Sequence, residues 1–99
     1  MSHSVKFVEV YNRSGGGTIR DYSVRTVYVN PSHVSSLIED ENSKRLMHEG
    51  FLPEGLDKRQ EFTRLSISAG SGGRELVVLG AIETVQKKLY EGQVQLLKG

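Results

Sequence analysis

Arg25-Thr26-Val27-Tyr28-Val29-Asn30-Pro31-Ser32-His33-Val34-Ser35-Ser36-Leu37-Ile38-Glu39 is the stretch whose reading decides the fold. It begins as a run of β-branched and aromatic residues, which favour strands. It stops at Asn30-Pro31 and resumes as an apolar-polar segment that ends in acids. Two readings are open after Asn30. Val34, Leu37 and Ile38 have the i, i+3, i+4 spacing of a helix, with Asn30 as its N-cap and Pro31 as its first residue. The rival is a tight turn at Asn30-Pro31-Ser32 followed by a strand through 35–40. Proline presets φ for a turn, and Asn and Ser bond the local backbone. Propensity alone does not choose between them.

Working outward, residues 62–69 alternate strictly. Thr63, Leu65, Ile67 and Ala69 lie on one face, and Phe62, Arg64, Ser66 and Ser68 on the other. This predicts a half-buried antiparallel strand. Gly70-Ser71-Gly72-Gly73 reads as a hairpin tip. Arg74-Glu75-Leu76-Val77-Val78-Leu79 returns nearly all apolar, as a central strand does. Gly80 breaks it, and the spacing predicts a helix over 81–91 with Ile82, Val85 and Leu89 as its apolar stripe, extended toward Tyr90. Lys87 and Lys88 suit the negative end of the helix dipole, and Gly92 reads as the stop. Gln93-Val94-Gln95-Leu96-Leu97-Lys98 alternates briefly, either as a short edge strand or as a tail that orders on a partner. Upstream, 5–11 and 23–30 read as strands, with Val27 and Val29 on one face. Gly15-Gly16-Gly17 between them cannot sustain a strand.

The order "apolar strand, Asn, short turn, apolar-x-x-apolar, Glu" is carried here by Val27-Tyr28-Val29-Asn30 to Ile38-Glu39. The order "Thr-x-apolar-x-apolar, hairpin, apolar strand, helix" is carried by Thr63 through Leu89. Together, over 27–39 and 63–89, they resemble the small flagellar FlbD-like β-proteins. The chain departs from that family in an extra N-terminal strand, a long insert at 41–60 and a glycine-rich hairpin. In the family the segment after Asn is a turn and a strand, so the resemblance implies that reading of 31–40. It implies roles in motility and its regulation only loosely, and lends fold more than function.

The expected fold is α+β, mostly β: a small curved or partly barrel-like antiparallel sheet of about five strands, with helix 81–91 packed on it. Residues 1–99 read as a single domain, with 41–60 as an insert or flap between strands. Ser43 is expected to cap a short helix in that insert and Gly50 to end it. The expected core is Val27, Val29, Leu65, Ile67, Leu76, Val78, Ile82, Val85 and Leu89.

A chain of 99 residues buries roughly two-thirds of its unfolded surface, enough for one modest core. Hydrophobic content of 36% and charged content of 25% suit a globular chain rather than a disordered one. There is no cysteine, which removes disulfides, thiolate zinc sites and cysteine nucleophiles together and is compatible with a reducing compartment. Met1-Ser2-His3-Ser4 carries no basic region and leads to no long apolar run. The expectation is therefore no signal peptide, no membrane span and a cytoplasmic location.

The glycine clusters lack the helix N-terminus and the Gly-Lys-Ser/Thr that a phosphate loop needs. His3, His33 and His48 have no metal-ligand spacing. Gly70-Ser71-Gly72 is not a nucleophile elbow, which requires Gly-x-Ser-x-Gly. No enzyme, cofactor or metal is expected. Two binding classes remain. Arg20, Arg25, Arg64 and Arg74, interleaved with Tyr11, Tyr22, Tyr28 and Phe62, would form on one sheet face a platform for single-stranded nucleic acid such as RNA. The formal net charge of only +1 weighs against a polyanion partner. The favoured class is a non-catalytic regulatory or protein-interaction module, self-associating as a homodimer. Its expected contact residues are Leu46, Met47, Phe51, Leu52 and Leu56 in the insert and Leu96 and Leu97 in the tail. The competing account has both segments fold back onto the protein's own sheet.

Overall fold

The computed structural model describes residues 4–15, 21–69 and 72–98, with the backbone alone described for 69 and 93–98. The elements are β1 (Val5–Asn12), β2 (Tyr22–Val29), β3 (Val34–Glu39), α1 (Glu41–His48), β4 (Phe62–Ala69), β5 (Gly72–Leu79) and α2 (Ile82–Lys98). The five strands form one antiparallel sheet in the order β2-β1-β5-β4-β3. The apolar strand β5 is central.

The decisive stretch is a turn and a strand. The Asn30 side chain accepts from the Ser32 backbone N–H at 3.0 Å and from the Ser32 hydroxyl at 2.7 Å. Pro31–His33 make a single 3-10 turn, and β3 then pairs with β4. The helix-like spacing of Val34 and Leu37 has a specific cause. A bulge between Val34 and Ser36 adds one residue to β3, so side chains three apart return to the same face. Val34 sits opposite Ile67 and Leu37 opposite Leu65, while Ile38 falls on the other face and is 52% exposed. Ser35 stabilises the bulge by donating its hydroxyl to the Ser66 carbonyl at 3.1 Å.

That turn also bends the sheet. β2 and β3 are its two edges, and five flat strands would hold the edges about 19 Å apart. The connection from Val29 to Val34, containing a 3-10 turn, reaches only about 13 Å. The sheet therefore curls, and it stays open because β2 and β3 do not pair.

One face is closed by α2. Phe7, Val29, Leu65, Leu76 and Val78 are buried there with Val85 and Leu89 of the helix, and Val5, Val27, Val34, Leu37 and Ile67 pack around them. The expected core lies in this cluster apart from Ile82, which is half-buried at the head of α2. Gly80 makes the β5–α2 corner at φ +131, where a side chain would be strained and a Cβ would stand 3.2 Å from Val85 Cγ2.

The other face carries a second core that alternation did not predict. Val10, Leu46, Leu52 and Phe62 are buried together, with Tyr22, Val24, Met47, Leu56, Val77 and Leu79 against them. Strand β4 was expected to be half-buried with Phe62 outward. Phe62 is instead 2% exposed, because α1 and the loop after it cover that side. The α1 cap position is Asp40, not Ser43. Ser43 lies inside the helix and donates its hydroxyl to the Asp40 carboxylate at 2.5 Å. Gly50, at φ +86, ends α1 as expected.

The C-terminal helix does not stop at Gly92. It runs to Lys98, so 93–98, including Leu96 and Leu97, are helical and not an edge strand. Gly92 is a contact point: a Cβ there would stand 2.6 Å from Val5 Cγ2 and 3.1 Å from Pro31 Cγ. Its lack of a side chain lets α2 press against the start of β1 and the Pro31 turn. Tyr90 leaves the apolar stripe and is 66% exposed.

Candidate functional site

The residues expected to meet a partner are largely used at home. Leu46 and Leu52 are buried in the second core, and Met47 and Leu56 pack against it. Phe51 alone of that set in the insert counts as exposed. Leu96 and Leu97 lie in the last turns of α2. The insert covers a sheet face, and of its expected contact residues Leu46 and Leu52 are buried in doing so.

The arginine-tyrosine platform is not assembled on one face. Arg25 sits opposite Glu9, in alternation with the inward Val27 and Val29. Its Nε donates to the buried Glu9 carboxylate at 2.9 Å, and its guanidinium lies over the Tyr11 ring at 3.9 Å. The hydrogen bond to Glu9 raises the Arg25 pKa above its ordinary value. Arg64 projects from the other face of β4 and donates to the buried Asp40 carboxylate at 2.7 Å. Period-two alternation separates these two arginines and a carboxylate neutralises each. Arg74, Tyr28 and His33 all line one cavity of about 260 Å³. Arg20 lies outside the described residues.

A further concavity lies between β3 and α2. The two elements run in opposite directions: Glu39 lies by Ile82 and Glu83, and Val34 and Leu37 lie by Gln86, Leu89 and Tyr90. Positions 82–83, 86 and 89–90 share one helix stripe. The apolar end of this groove has a volume of about 280 Å³ and is floored by Pro31, Val34, Leu37 and Leu89. The polar end, about 410 Å³, gathers Glu39, Asp40, Glu41, Glu61 and Glu83 around Lys44. Asp40 is occupied by Arg64 and Ser43, and Glu61 accepts from Lys44 at 2.6 Å. Glu39, Glu41 and Glu83 make no ion pair among the described residues. Glu41 and Glu83 stand in the first turns of α1 and α2, where helix dipoles favour a negative charge.

The outer edge of β3 borders this groove. Among the described residues β3 pairs with β4 alone. The Asp40 N–H donates to the Phe62 carbonyl at 2.9 Å, and the register is unbroken from Ser36 to Glu39. Antiparallel ladders alternate bonded and non-bonded pairs. Ser36 and Ile38 therefore bond β4, while the N–H and C=O of Leu37 and Glu39 point outward. The side chains of these two residues face the groove. Sequence reasoning missed Leu37, Glu39, Glu83, Gln86 and Tyr90 as site residues. The available signal is the acid cluster Glu39-Asp40-Glu41 at a strand end.

The described residues hold no group of three or more His, Cys, Asp or Glu side chains arranged to bind a metal ion. No helix among them is long and apolar enough to cross a membrane. Comparison of the chain with protein-family models, with curated proteins and with solved structures finds no match in any of the three.

Proposed function

We propose that this protein is a non-catalytic interaction module that recruits an extended segment of another polypeptide along β3. One observation carries the reading: the unpaired edge of β3 lies beside a groove whose other wall is α2. Exposed edges take up added strands, with main-chain hydrogen bonds giving affinity and flanking pockets giving specificity. A regulatory role through such contact is compatible with the FlbD-like resemblance. A homodimer would use this edge rather than Leu46 and Leu52, which are buried. Among the described residues the nucleic-acid alternative retains only Arg74 and Tyr28, since Arg25 and Arg64 are committed to carboxylates.

Selection from a random peptide display library on the full chain, followed by amide chemical-shift mapping of the selected peptides, tests the reading. Enrichment is expected, with shifts centred on 36–39 and 82–90. No enrichment, or shifts confined to other surfaces, overturns it. Light scattering at high micromolar concentration shows whether the occupant is a second copy. Salt-sensitive binding of single-stranded RNA without any peptide binding would favour the alternative.

A further inference from the structure

The groove has a polarity, and the polarity specifies its occupant. We propose that it takes an extended basic-apolar segment running antiparallel to β3, with Lys or Arg at Glu39 and Glu83 and an apolar side chain between Leu37 and Leu89. This deepens the interaction-module reading and rests on it.

Three features define the segment. The outward backbone groups of Leu37 and Glu39 accept an added strand at two positions, which a partner meets with residues i and i+2. Residues two apart on a strand share a face at about 6.6 Å spacing, so both partner side chains enter the groove beside α2. The chemistry differs between those positions. Near Glu39 the wall is Glu83, and both carboxylates lack a cation among the described residues. Near Leu37 the wall is Leu89 with Pro31 below and the exposed Tyr90 ring at the rim. Antiparallel pairing is the commoner mode, and it orders the partner as basic-x-apolar from its N-terminus. A second copy offering its own β3 fits less well, because Val34–Glu39 contains no basic residue to answer the acids.

The test uses the full chain and synthetic peptides. Gly-Ser-Lys-Ser-Leu-Ser-Val-Ser-Gly is titrated by NMR against the same peptide with Glu in place of Lys. The Lys peptide is expected to bind at least about fivefold tighter at low salt, the scale of two exposed ion pairs, and to shift 36–39 and 82–90. The double variant Glu39→Lys, Glu83→Lys is expected to reverse that preference. Both side chains are exposed, so the double variant should unfold in the same cooperative transition, with a melt lowered only by the few degrees that reversing a charge in the first turn of α2 costs. Equal binding of the two peptides, or an unreversed preference in the double variant, overturns the basic-apolar assignment while leaving the module intact. Failure of these peptides and of every library peptide removes the module reading as well. A second copy found seated in the groove overturns the assignment too.

Discussion

The two faces of the sheet are covered in different ways. A single long helix, α2, closes one face. A short helix and an irregular loop, between Glu41 and Gln60, close the other. Both covers bury side chains almost completely: Leu65 is 0% exposed on the first face and Phe62 2% on the second. The first cover is regular, so its apolar stripe is visible in sequence. The second has only about two turns of periodicity and then none. A core can thus be built from a segment whose sequence reads as loop, provided a strand such as β5 is apolar on both sides.

The sharpest way to break this comparison is Phe62→Ala. If the second face is a real core, it should cost about 3–5 kcal/mol in denaturant unfolding. A solvent-facing Phe62 would move stability by no more than about 0.5 kcal/mol. On the first face, Leu65→Ala should cost about 2–5 kcal/mol. A Leu65→Ala cost well below that of Phe62→Ala would make the loop-covered face the better packed of the two.

Arg64 tests the polar rim of the second face. Its side chain is 37% exposed, but that of its partner Asp40 is only 3% exposed. Arg64→Ala should cost about 1–3 kcal/mol, because it leaves a buried carboxylate short of a hydrogen bond. Arg64→Lys should recover part of that loss, since lysine keeps the charge but not the fork. An unchanged melt for Arg64→Ala would mean that water serves Asp40 equally well.

Gly92→Ala gives the smallest expected effect and addresses the regular cover. Alanine favours a helix over glycine by about 1 kcal/mol, yet its Cβ would overlap Val5 at the contact with β1. Overpacking of that kind costs about 1–3 kcal/mol, so a net loss of about 1 kcal/mol is expected in the same unfolding assay. A gain in stability would show that α2 shifts freely away from the Pro31 turn.

The candidate site was less legible than the fold. Its groove needs Leu37 and Glu39 on one strand to meet Glu83, Gln86 and Leu89 on a helix more than forty positions later. No local pattern announces such a meeting. The bulge at Ser35 hid it further by giving β3 the spacing of a helix, and only the turn chemistry and the family resemblance argued for a strand there.

Local chemistry within the sequence determined the strict alternation of β4, the apolar centre at β5 and the stripe that holds α2 to the sheet, and it placed a break at Asn30-Pro31 while leaving a turn and a helix cap both open there. Each of these acts over a few residues, through fixed φ values, side-chain caps and periodic burial. The tertiary structure alone decided that Phe62 is inside, that Leu46 and Leu52 belong to the protein's own core, and that Gly92 continues a helix. It also decided that Arg25 and Arg64 face carboxylates on opposite sides of the sheet. Those outcomes depend on which segments come to lie against each other, and burial and charge pairing answer to that proximity rather than to the residue's own preferences.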